Sequence, residues 1–330
     1  MNDPIPWIHS MGYVLGYPIY GLHILVLGGL MYKYSRIGLV TIMCYGGLLG
    51  LYEAYLIKQL WNPNWGTEFT MQVGGVRVAH TLMLVFFVHP VLAFLVPLFI
   101  AELFLTRPGR LSRALPFLRS RVGTFTAVIG LAVWLGLIIG SNMPEHGGRA
   151  GLTAPVISVA VVGTLAAIWI WVFKGNRFSI GVLMPQGKGL WILAALLLLQ
   201  YLVYSRVVRP EAMPTEWLPH LIVVGIYAFF VMLIMLWGSP NKSTDSPEAD
   251  LENASMAPWW LAVLAACVFL LVAFVQAPTR LPGSVVAVIS FFGGAVLNLG
   301  FLVVCFFVGG RRWLRRRSFE IGTVVLIVHY

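Results

Sequence analysis

Nine apolar stretches recur along the chain, at 12–32, 37–60, 78–105, 121–141, 154–174, 188–208, 217–237, 257–276 and 284–308. A helix rising about 1.5 Å per residue crosses the hydrocarbon core of a bilayer in roughly 20 such residues. Backbone groups have no water to bond in lipid, so each stretch is expected to be a helix rather than an open strand. The balance of residues agrees: 59% are hydrophobic and 10% are charged, where soluble domains carry about 25% charged residues. A single globule cannot bury that much apolar surface, and lipid must cover the excess. The expected fold class is all-α: a polytopic integral membrane helical bundle of about nine transmembrane helices, in the cell membrane.

Basic residues orient the bundle, because Lys and Arg in short loops stay on the cytoplasmic side. Sixteen of the 22 fall in odd-numbered loops or after the last span, among them Lys33, Arg36, Arg107, Arg110 and the run Arg311, Arg312, Arg315, Arg316 and Arg317. The other six are Lys58, Arg77, Arg149, Arg206, Arg209 and Arg280. This alternation predicts the N-terminus outside and the basic C-terminal segment inside. Nine of the twelve tryptophans lie near predicted span ends, where an amphipathic ring prefers to sit; Trp134 is the main exception. Residues 1–238 form a bundle of seven spans, 239–256 a flexible cytoplasmic linker, and 257–330 two further spans with the basic segment, within one membrane domain. The apolar end, 319–330, is too short to cross.

The net charge of +10 sits beside membrane segments, which points to anionic lipid headgroups rather than nucleic acid. Cys44, Cys267 and Cys305 lie inside apolar stretches and form no C-x-x-C, which argues against iron–sulfur, c-type haem and thiolate zinc sites. The opening residues lack the basic region of a cleavable signal. No phosphate-binding loop, H-E-x-x-H or G-x-S-x-G is present.

Ionisable groups inside spans are costly and direct attention to function. They are His23 in span one, Glu53 in span two, His80 and His89 in span three and His220 in span seven; Glu102 lies near the inner end of span three, within reach of the interface. Counted from the outer boundary, His23 and His89 are both roughly 16 Å deep, whereas His80 and His220 are shallow and Glu53 lies between. Two imidazoles at equal depth on facing helices suit a six-coordinate b-type haem. Glycines in span one would admit the ring, and Arg77 would be the propionate partner. On this reading the chain is a quinone-linked electron-transfer subunit of a larger complex, holding one or two b-type haems with His23, His89, His80 and His220 as axial ligands, and Glu53, paired with His80 or His220, handles protons at the quinone or haem edge. The alternatives are a transporter or permease for a small or lipophilic solute, its cavity between spans one and three with Glu53 and a histidine as the coupling pair, or a non-catalytic membrane subunit. Pro18, Pro90 and Pro97 are expected to kink spans one and three.

Overall fold

The computed structural model describes residues 17–34, 37–56, 60, 71–106, 111, 114, 115, 118, 120–142, 149–173, 178–207, 210, 213–238, 257–277 and 281–328. Among these the protein is helical apart from one small hairpin. In chain order the helices are α1 (Tyr17–Tyr34), α2 (Leu39–Leu56), α3 (Val78–Leu105), α4 (Arg121–Asn142), α5 (Arg149–Phe173), the single turn α6 (Ile180–Leu183), α7 (Gly187–Val207), α8 (Trp217–Trp237) and α9 (Trp259–Gln276). The last, α10, runs over 281–328 and includes a segment of 35 residues, Gly294–Val328. Strands β1 (Gln72–Val73) and β2 (Val76–Arg77) pair antiparallel just before α3.

Eight helices among the described residues are long and apolar enough to span a bilayer. The expected first span is the difference. It does form an 18-residue helix, α1, but its tyrosines, His23 and Lys33 dilute its apolar character. The expected linker 239–256 lies outside the described residues, and so does 61–70 of the second outer loop. The stretch 319–328 continues α10 as helix. At about 1.5 Å per residue its 35-residue segment is roughly 50 Å long, well beyond the hydrocarbon thickness.

The bundle is built around α2, of which 83% is buried, against 39% or less of every other span. Its most extensive packing is on α3, followed by α8 and α1. The other large interface joins α4 to α9, and α10 lies against α4, α3 and α8. The two C-terminal helices are thus woven into the same bundle. Apolar side chains on α5, α7, α8, α9 and α10 face outward, as lipid contact requires.

Both large interfaces use glycines four residues apart. A Cβ on Gly46 of α2 would lie 2.4 Å from Pro90 Cα, and one on Gly140 of α4 would lie 2.6 Å from the Ala273 carbonyl. Neither would fit, so the missing side chains let the backbones touch. Without a hydrophobic drive between helices in lipid, such close packing is what holds them together. Gly28 and Gly29 of α1 receive Met184, Pro185 and Leu190, so a neighbouring segment occupies the space that those residues leave open.

Helix α3 is wound as π-helix over Leu84–Leu95 and again over Ala101–Leu105. The first stretch contains Pro90, which has no N–H to give to the helix ladder. Within the same stretch, the Phe86 carbonyl accepts from the Asn298 side-chain amide of α10 at 2.5 Å. Replacing Asn298 with leucine is expected to lower stability by about 1–2 kcal/mol, because it removes a hydrogen bond from a carbonyl beyond the reach of water. Thermal unfolding of the detergent-solubilised variant reads this directly; an unchanged midpoint would mean that Phe86 finds its donor elsewhere.

Trp134, the tryptophan out of place in sequence, donates its indole N–H to Ser290 Oγ at 2.8 Å, in the π turn of α10. Satisfying that donor is what lets the ring sit in mid-span. Glu102 lies near the end of α3, as the sequence suggests; it is 1% exposed and accepts the Leu111 backbone N–H at 3.3 Å.

Candidate functional site

On α2, Gly46, Gly50 and Glu53 follow one another at spacings of four and three, on a single helical face. That face meets the π-wound part of α3. A Cβ on Gly50 would lie 3.0 Å from the Leu84 carbonyl and 3.1 Å from His89 Cβ. The two backbones are drawn together one turn below Glu53, and this brings its carboxylate to His89. The His89 Nε2 lies 3.2 Å from Glu53 Oε2, with both side chains buried. This is an ion-pair distance, although the alignment falls short of a formed hydrogen bond, since Oε2 has no hydrogen-bond partner.

The other His89 nitrogen fixes the protonation pattern. Nδ1 lies 2.9 Å from the Leu84 carbonyl. A carbonyl only accepts, so Nδ1 carries the proton and Nε2 presents either a lone pair or a second N–H. The Leu84–His89 spacing of five belongs to the π winding, so the same backbone feature that accommodates Pro90 also aims the ring. Tyr20 of α1 completes the site. Its hydroxyl donates to Glu53 Oε1 at 3.4 Å, and its ring stacks on His89 with centroids 6.2 Å apart and planes within 8°.

His23, one turn on from Tyr20, is fully buried. Its Nδ1 donates to the Ile19 carbonyl, which leaves Nε2 as a lone pair with no partner. Its ring rests against Tyr52, the neighbour of Glu53 on α2, with centroids 5.4 Å apart. Tyr52 in turn meets Tyr201 of α7 and Tyr227 of α8 edge-on, and Tyr55 stacks on Tyr201 at 4.4 Å. The Tyr227 hydroxyl and both polar atoms of the Gln200 amide are buried without partners. Polar groups from α1, α2, α3, α7 and α8 therefore converge on one part of the interior.

The structure gathers His23, Glu53 and His89 in this cluster. Glu53 takes the deep histidine of α3 instead of either shallow one. His220 stands apart, with Nε2 bonded to the Pro214 carbonyl at 3.2 Å. Arg77 and His80 lie at the start of α3, more than two turns before His89 along the chain. Among the described residues no group of three His, Cys, Asp or Glu side chains is arranged to hold a metal ion. Tyr20, Tyr52, Tyr201 and Tyr227 are members that sequence reasoning passes over, because an aromatic in an apolar span looks like packing. The Gly46–Gly50–Glu53 spacing was the available signal for where the site forms.

A profile for an uncharacterized membrane protein family matches residues 2–322, and the chain belongs to that family. A relative from Archaeoglobus fulgidus, described as an uncharacterized protein, is 30% identical over 268 residues, which cover 80% of this chain and 81% of the relative. No solved structure matches the chain.

Proposed function

We propose that this multi-pass member of the family is a proton-coupled carrier of a small or lipophilic solute, in which Glu53 and His89 hold the coupling proton between α2 and α3. The observation that carries this reading is the approach of a carboxylate to an imidazole in the bundle interior, 3.2 Å apart. With Nδ1 committed to Leu84, one proton is shared between Nε2 and Oε2. When it is present the pair is net neutral and its two atoms can hydrogen-bond. When it is absent a carboxylate faces a lone pair in a medium that tolerates neither, and Tyr20 supplies the compensating donor. Any movement that alters the separation of α2 and α3 therefore alters the affinity for that proton. A solute bound differently in the two arrangements is thereby coupled to it. Most of the buried core is apolar, which suits a solute with few polar groups.

Liposomes holding the reconstituted protein and an internal pH dye test this against a panel of small solutes. Wild type is expected to bring in protons with one class of solute, and Glu53→Gln and His89→Gln to lose more than about tenfold of that flux. Solute uptake with proton flux unchanged in both variants would overturn the reading. An infrared measurement needs no solute: the carbonyl band of a protonated carboxyl should vanish in Glu53→Gln.

One observation favours the electron-transfer reading instead. His23 Nε2 is buried without a partner, as a ligand to b-type haem would be before the ring binds. Against it, His89 Nε2 would first have to leave Glu53. An oxidised-minus-reduced visible spectrum separates the two. A stoichiometric low-spin signal, lost in both His23→Ala and His89→Ala, would establish a haem and direct attention to quinone or a partner subunit.

A further inference from the structure

The start of α3 holds a charge without a counterion. Arg77 closes the hairpin, opposite Gln72 across the β1–β2 pair. Its backbone is held on both sides: its N–H donates to the Leu60 carbonyl at 2.7 Å, and its carbonyl accepts the Thr81 hydroxyl at 2.7 Å. The side chain is 1% exposed, and it is the largest of the fully buried side chains among the described residues. Two of its nitrogens, Nε and Nη2, are sealed from solvent and have no hydrogen-bond partner.

Those two nitrogens form one edge of the guanidinium, and their N–H bonds point the same way. That edge matches two oxygens of a carboxylate or phosphate. His80 follows three residues later, in the first turn of α3, close enough to feel the Arg77 charge. Its Nδ1 is likewise buried without a partner. Among the described residues no carboxylate pairs with Arg77; the ion pair on α3 belongs to His89 and Glu53. A buried charge and three orphaned nitrogens at one place are costly in an apolar setting, and the ordinary remedy is an anion.

We infer that Arg77 and His80 form an oxyanion-binding site at the mouth of α3. Two oxygens of a carboxylate or phosphate group lie on the Nε–Nη2 edge of Arg77, and His80 Nδ1 donates to the ligand from the adjacent turn. The site draws on none of the residues that hold the Glu53–His89 proton and stands whether or not that pair drives transport. Two sources offer the same chemistry: a soluble carboxylate, or the phosphate of a lipid headgroup at the membrane surface.

The test uses the full chain in detergent, with sodium hexanoate and inorganic phosphate as calorimetric probes and native mass spectrometry for phospholipid retained from phosphatidylglycerol nanodiscs. Saturable hexanoate binding that weakens about tenfold or more in Arg77→Gln, and several-fold in His80→Leu, identifies a soluble carboxylate. A retained phospholipid that Arg77→Gln releases identifies the headgroup. Where Arg77→Gln fails to fold, Arg77→Lys takes its place. It keeps the charge but lacks the two-pronged edge, and is expected to weaken binding by a similar factor. The inference is overturned if wild type binds neither probe and retains no lipid, or if the folded Arg77 and His80 variants match wild type in every arm.

Discussion

Gly46→Val is expected to force α2 away from α3 and to lower stability by about 3 kcal/mol or more, near the upper end of overpacking costs. The new Cβ would lie 2.4 Å from Pro90 Cα and 3.1 Å from Pro90 Cβ. Neither atom can yield as a flexible side chain would, because both are tied to a proline inside a helix. The same separation opens the Glu53–His89 contact two turns along the α2 face, so proton coupling should be lost as well. Gly21→Ala is the control. Nothing lies within 4 Å of its Cβ position, and alanine favours helix over glycine by up to about 1 kcal/mol. That variant should match or slightly exceed wild type in thermal unfolding. If Gly46→Val unfolds at the wild-type temperature, the interface cannot be as close as described.

The second large effect concerns the buried pair. Glu53→Leu and His89→Leu should each cost about 3–5 kcal/mol, since each strands one polar group in the bundle interior. The double variant should cost less than the two combined, by about 2 kcal/mol, because neither member of the pair is left facing a missing partner. Solvent screening does little to weaken a pair whose side chains are 3% and 4% exposed. Additive losses across the four proteins of the cycle would mean that the two groups act separately. Such a result would remove the physical basis for a shared proton, whatever the transport assays showed.

The spans were legible in the sequence because crossing a bilayer is a matter of length and apolarity, which adjacent residues report together. The first span was the least distinct for the same reason: α1 spends part of its length on Tyr20, His23 and Lys33. The site was legible only as a set of candidates. Depth counting placed His23 and His89 together, and they do lie in one cluster. It left Glu53 several residues shallower, closer to His80 and His220. That count treats each helix as an ideal rod with a known end. A long glutamate arm and the wide turns of α3 both break the assumption, and neither can be read from residue spacing. The tyrosines were missed because their role depends on which helices are neighbours, and that is decided by glycine-mediated packing between distant parts of the chain. Asn298 shows the same limit: its partner at Phe86 is 212 residues away in the chain.

The winding of α3 also has a mechanical meaning. A π turn carries one more residue than the α turn it replaces, so Leu84–Leu95 stores slack within a continuous helix. Taking up one residue of that slack between Leu84 and His89 would swing His89 around the axis by about 100°, with no helix sliding past another. The imidazole would leave Glu53 and face a different neighbour while α3 stayed intact. Such a winding would act as a crank beside the buried Glu53–His89 pair, one that works by rotation instead of translation.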